Sequence, residues 1–221
     1  MPSSFRAAVT LPLVLALGFL GGCGGQGQAG ASGMSDSALV REVASQLAGA
    51  GSPAYTATYR LAGGATARVV RSLAPDRIAY EFPGGRLIST PAAVTRCAAN
   101  TCTATDASGA GVALPDGTGL VTDAQVVALL EAAAIDEHPE ATQRDTTLAG
   151  RHATCLALAG VEAAEASSFD VCVTVEGTLA SFRAVLDGDE VDVVLSEYTG
   201  EAEEGAFQIP AGARLIDRRD R

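Results

Sequence analysis

The sequence predicts an α+β fold: antiparallel strands in long meanders, with two helices packed on them. Three observations lead there. Helical periodicity is confined to residues 36–51 and 122–139, shorter runs elsewhere alternate apolar and polar side chains, and the separators between those runs are turn material.

Residues 1–22 come first in the chain. Arg6 precedes the apolar run "AAVTLPLVLALGFL", and "GG" stands before Cys23. A charged start, an apolar stretch of secretory length and small residues at a cleavage point make a signal peptide. The run is short for a membrane-spanning helix, and Pro12 interrupts it. The tetrapeptide "LGGC" resembles a bacterial lipobox. That resemblance implies a diacylglycerol on the Cys23 sulfur and cleavage before that residue by a peptidase whose site accepts small side chains. Acyl chains such as palmitate on one residue give the double anchor that stable membrane attachment requires. The expected location is the outer side of a bacterial cell membrane. Residues 23–35 have no periodicity and are rich in Gly and Ala, so they read as a tether.

Export implies an oxidising compartment, and five cysteines leave one without a partner once Cys23 carries lipid. Local pairing is favoured for the other four. In "TRCAANTC" a two-residue turn at Ala99-Asn100 sets Cys97 opposite Cys102, with Asn100 suited to a left-handed backbone. Folding "GRHATCLALAG" onto "SSFDVCVTVEG" sets Cys155 against Cys172. His152 precedes Cys155 by three residues, so strand alternation separates them and no metal site is expected there.

The first helix, 36–51, has Ser35 as its cap, Asp36 at its positive end and a stripe of Leu39, Val43 and Leu47. Strands are expected at 54–61, 65–73, 76–82, 85–90 and 93–98. The loops between them are short, which favours an antiparallel meander. The second helix opens with Thr122 and Gln125 as a capping box. Its apolar residues cover more than half its circumference, so it should be largely buried. Strands resume at 142–149, 151–159, 168–175, 178–187 and 190–199, with "DGDE" as a hairpin turn rather than a calcium loop. The domain is expected over 36–216, with 217–221 as a frayed tail.

This order resembles the LolA/LolB lipoprotein-carrier superfamily, and within it the actinobacterial lipoprotein branch of LppX/LprG type. The residues carrying the likeness are "YTATYRL", then "VVRSLAPDRIAYEF" with Arg71, Pro75 and Arg77, then "AFQIPAGA" with Phe207, Pro210 and Ala213. The resemblance implies a curved antiparallel half-barrel whose concave face is covered by helices, with acyl chains held in an apolar cavity between the layers. The candidate cavity residues are Tyr55, Tyr59, Leu61, Val126, Leu129 and Leu130. The two cysteine pairs and the absence of Trp depart from the carriers, whose cavities are rich in aromatic side chains.

The expected function is therefore binding or carriage of lipid by a membrane-anchored lipoprotein; the alternative is an envelope scaffold without a ligand. All fifteen basic residues are Arg, and the net charge of −11 is spread through the chain, which argues against a nucleic-acid partner. No cofactor is expected. Catalysis is not expected either: the only histidines are His138, after a helix, and His152, at a strand start. No nucleophile elbow, phosphate-cradling loop or metal-binding His pair accompanies them. The acidic run "EAEE" reads as a solvated loop, and Arg60, Arg68, Arg71 and Arg77 as a wet sheet face.

Overall fold

A computed structural model describes residues 35–49, 54–107, 112–136, 140–162 and 164–220. The leader, Cys23, the tether before Ser35, and His138 lie outside the described residues.

The chain begins with α1 (Asp36–Ala48). The Ser35 hydroxyl accepts from the Ala38 N–H, and Gly49 ends the helix short of the expected 51. Five hairpin-linked strands follow: β1 (Tyr55–Leu61), β2 (Thr66–Leu73), β3 (Asp76–Phe82), β4 (Gly85–Thr90) and β5 (Ala93–Ala98). They continue into β6 (Thr101–Thr105) and a long connection to α2 (Asp123–Ile135). Thr122 and Gln125 form the reciprocal capping box there, and the helix stops at Ile135, short of 139. The second meander is β7 (Glu140–Leu148), β8 (Arg151–Ala159), β9 (Phe169–Thr174), β10 (Leu179–Leu186) and β11 (Asp189–Thr199). A last short strand, β12 (Arg214–Asp217), closes the order.

All twelve strands form one curved, unclosed sheet in the order β12-β6-β5-β4-β3-β2-β1-β11-β10-β9-β8-β7. The two meanders meet where β1 pairs antiparallel with β11. One joint departs from the expected antiparallel pattern: β12 runs parallel to β6. It begins where the chain has already crossed the sheet, so no hairpin fixes its direction. The tail is tied down as well. Arg218 donates its N–H to the Ala104 carbonyl at 2.8 Å, and Asp220 to the Asp106 carboxylate at 2.9 Å.

Alternation divides the sheet into a core face and an outer face. On β1 the core face carries Tyr55, Ala57, Tyr59 and Leu61, all buried. These residues join Val40, Val43 and Leu47 of α1 and Val126 and Leu130 of α2 in one apolar cluster. Val161 and Ala166, from the loop between β8 and β9, are buried in the same cluster. The outer face has two smaller clusters, one around Val70, Ala79, Ile88 and Ala206, the other around Ala153, Cys155, Cys172 and Ala180.

Both cysteine pairs stand at disulfide distance, with Cys97 to Cys102 and Cys155 to Cys172 each at 2.05 Å. Each pair occupies directly opposed positions of neighbouring strands. In the first hairpin the left-handed residue is Ala99, with φ of 49°, and not Asn100. The "DGDE" turn behaves as expected, with Asp187 at φ 52° and Gly188 at φ 88° between β10 and β11.

Candidate ligand clefts on the core face

Tyr55, Tyr59, Leu61, Val126, Leu129 and Leu130 all belong to the main core, and none is more than 6% exposed. The Tyr59 hydroxyl donates to the Leu179 carbonyl at 2.9 Å, and the Tyr55 ring stacks on Tyr198 with centroids 5.9 Å apart. None of the six lines either of the two clefts on this face described next.

The larger cleft, of about 560 Å³, lies over β3–β6. Its floor follows from strand register. Tyr80, Leu87, Arg96 and Thr103 are successive cross-strand neighbours, and Phe82, Gly85, Ala98 and Thr101 form the adjacent row. Leu87 is fully buried, whereas Arg96 is exposed. Gly85 is required here, because a Cβ would stand 2.7 Å from the Phe82 ring and 3.0 Å from the Cys97 carbonyl oxygen. The bare backbone lets that ring lie across β4. The opposite wall is Pro115, Asp116, Gly117 and Thr118. The lining surface is mostly apolar, although six of its fifteen residues, Arg86, Arg96, Thr101, Thr103, Asp116 and Thr118, are polar or charged.

The smaller cleft, of about 340 Å³, opens between the end of α1, the start of α2 and β2. Leu47, Val127 and Ala128 give it apolar walls, and Arg71, Asp123 and Glu131 its charges. Arg71 is opposite Tyr55 in the β1–β2 register and so lies on the core face, apart from Arg68 on the outer one. This corrects the grouping of Arg71 with the wet-face arginines. The signal was present in the parity of "ARVVRS", but adjacent Val69 and Val70 leave the buried side of β2 ambiguous. The Arg71 Nε is shielded from solvent and makes no hydrogen bond among the described residues.

Asp123, partly buried, faces this group. Burial raises its carboxyl to about 6, and the Arg71 cation opposes that rise. Burial also pushes the Tyr55, Tyr59 and Tyr80 phenols upward, and the nearby Asp123 charge adds to the effect. Asp123 escapes sequence reasoning because an Asp in the first helical turn is ordinarily a solvated dipole partner.

On the outer face the "EAEE" run is not merely solvated. Glu203 pairs with Arg68, and Glu204 with Arg77 at 2.8 Å. Arg68 also meets Glu81, which in turn pairs with Arg86. His152 is exposed, and Cys155 sits on the other face of β8. Among the described residues, no group of three or more His, Cys, Asp or Glu side chains is placed to hold a metal ion, and no helix is long and apolar enough to cross a membrane.

No family model matches the chain, and no curated protein does. Among solved structures, the chain is similar to an uncharacterized conserved protein from Thermus thermophilus. The two are 12% identical, the match covers 81% of this chain and 99% of that one, and the TM-score is 0.51. The likeness is one of fold alone. A second similar structure, MucB, is 12% identical, with 81% of this chain and 66% of that chain covered and a TM-score of 0.49.

Proposed function

We propose that this protein is a lipid-anchored, extracytoplasmic binder of acyl chains, built on a LolA-like half-barrel whose concave face is covered by α1 and α2. The observation that carries the reading is the apolar cleft over β3–β6. Its volume of about 560 Å³ falls within the roughly 300–1,000 Å³ usual for small-molecule sites. Hydrocarbon laid on Phe82, Gly85 and Leu87 would leave water, a gain of about 25 cal/mol per Å² of apolar surface. The anchor rests on the leader and the "LGGC" tetrapeptide, with Cys23 as the acylated residue. Two disulfide-distance pairs suit an exported protein. The reading is non-catalytic.

The test is native mass spectrometry of the full chain extracted from its own host's membranes. A non-covalent lipid adduct beyond the covalent anchor is expected, together with uptake of a fluorescent fatty-acyl probe. Thr103→Trp, which fills the cleft, should lower that uptake about tenfold. Absence of both adduct and uptake overturns ligand binding. Cys23→Ala should move the protein out of the membrane fraction, and unchanged partitioning would remove the anchor from the proposal.

The ligand-free envelope scaffold is the second reading. It is favoured by one observation: the six interior positions expected to line a cavity are packed into the core. An adduct lost on Thr103→Trp excludes it.

A further inference from the structure

The cleft over β3–β6 has one feature that hydrocarbon binding alone does not explain. Arg96 occupies a core-face position between Leu87 and Thr103, where the row otherwise carries Tyr80 and Leu87 of the core. Of the ten arginines on the described strands, five are held in ion pairs, all on the outer face. Arg68, Arg77, Arg86, Arg151 and Arg183 each meet a carboxylate. Arg86, next to Leu87 on β4, turns to the outer face, where Glu81 and the Gln208 carbonyl engage it. Arg96 has no ion pair and no side-chain hydrogen bond among the described residues. Asp116 lines the opposite wall but is not within ion-pair distance of it. The Thr101 and Thr103 hydroxyls beside Arg96 likewise make no hydrogen bond among the described residues. One end of an apolar trough thus presents a guanidinium fork and two hydroxyl donors, all uncommitted.

We propose that the cleft selects amphiphiles with an anionic head, a carboxylate or phosphate monoester, which docks on Arg96, Thr101 and Thr103 while its chain lies on Phe82, Gly85 and Leu87. This rests on the acyl-chain reading above and narrows it to a charge class. A guanidinium accepts either head through paired N–H donors, and a hydroxyl can supply a third bond. The Asp116 carboxylate opposes the same head from across the cleft, so it tunes affinity downward.

The experiment compares nitrobenzoxadiazole-labelled dodecanoate with its uncharged methyl ester. The full acylated chain is reconstituted in nanodiscs of a zwitterionic lipid, and protein-free discs serve as the blank. The wild type should bind the acid about tenfold more tightly than the ester, a difference of about 1.4 kcal/mol. Arg96→Gln should erase that preference by weakening acid binding about tenfold more than ester binding, and Arg96→Lys should restore part of it. Asp116→Asn should widen the acid-to-ester affinity ratio severalfold. Inorganic phosphate at millimolar concentration should not displace the acid; displacement would make this a free-anion site and overturn the proposal. Equal acid and ester affinities in the wild type, or an unchanged ratio in Arg96→Gln, also overturn it while leaving acyl-chain binding intact. If neither probe binds, the broader reading falls as well, and the two failures are thereby told apart.

Discussion

Asp123 is a carboxylate with part of its surface withdrawn from water, near a single cation and three buried phenols. Its folded-state carboxyl titrates near 6 instead of the ordinary 3.8, with burial as the main cause. The linkage sign follows. Below pH 3.8 the group is protonated in folded and unfolded chains alike, so it costs nothing. As pH rises from about 4 to about 6 the unfolded chain releases the proton first, and this contribution to stability falls; above 6 the loss is complete. Asp123→Asn should therefore raise the melting temperature at pH 7.5 and change it little at pH 4. The shift should be a few degrees, because about two pKa units set a ceiling near 3 kcal/mol that partial exposure reduces. Melting curves at the two pH values check it, and a variant less stable than wild type at pH 7.5 refutes it. Neither Asp123 nor Arg71 was legible as part of a cluster. Each is ordinary in its own segment, and only the docking of α2 beside β2 brings them together.

Hairpins are the elements in which sequence and fold agree most closely, because each is decided by neighbours in the chain. Cys97 and Cys102 face each other since a two-residue turn leaves them no other register, and the alternation on β8 and β9 does the same for Cys155 and Cys172. Left-handed Ala99 was missed because the disulfide-distance pair and the strand register beside it hold the turn, overriding the preference for Asn. The two crosslinks should differ in worth. Their sequence separations are 5 and 17 residues, so loop entropy assigns about 2 kcal/mol to the first and about 3 kcal/mol to the second. Paired Cys→Ser variants, unfolded in urea, should rank in that order, with Cys155→Ser/Cys172→Ser the less stable. The reverse ranking would mean that the unfolded chain already restrains the longer loop. Edge strand β7 shows a different economy. It is polar and mostly exposed, with Arg144 and Asp145 at its centre, charges that discourage pairing with another sheet edge.

At the scale of the molecule, the two meanders are held together by more than their shared β1–β11 ladder. After β11 the chain crosses the outer face as a strap. Glu203 pairs with Arg68 of β2, Glu204 and the Phe207 ring both engage Arg77 of β3, and the Gln208 carbonyl accepts from Arg86 of β4. Ala206 is buried among Val70, Ala79 and Ile88. The strap ends as β12, which covers the edge of β6. The sequence showed an acidic loop and a Phe–Pro element, but not that both grip arginines on strands far earlier in the chain. The ion pairs involve partly exposed groups and should each be worth under about 1 kcal/mol. The apolar contact and the edge cover should matter more. Glu203→Ala/Glu204→Ala is therefore expected to unfold close to the wild type. A chain ending at Ala213, which lacks β12, should show faster amide exchange across Thr101–Thr105 and concentration-dependent association, because an open edge is a template for another strand. Exchange mass spectrometry and size-exclusion chromatography read the two effects. If the truncated chain keeps its β6 protection and stays monodisperse, the parallel strand is decoration and the Cys97–Cys102 hairpin alone holds that edge.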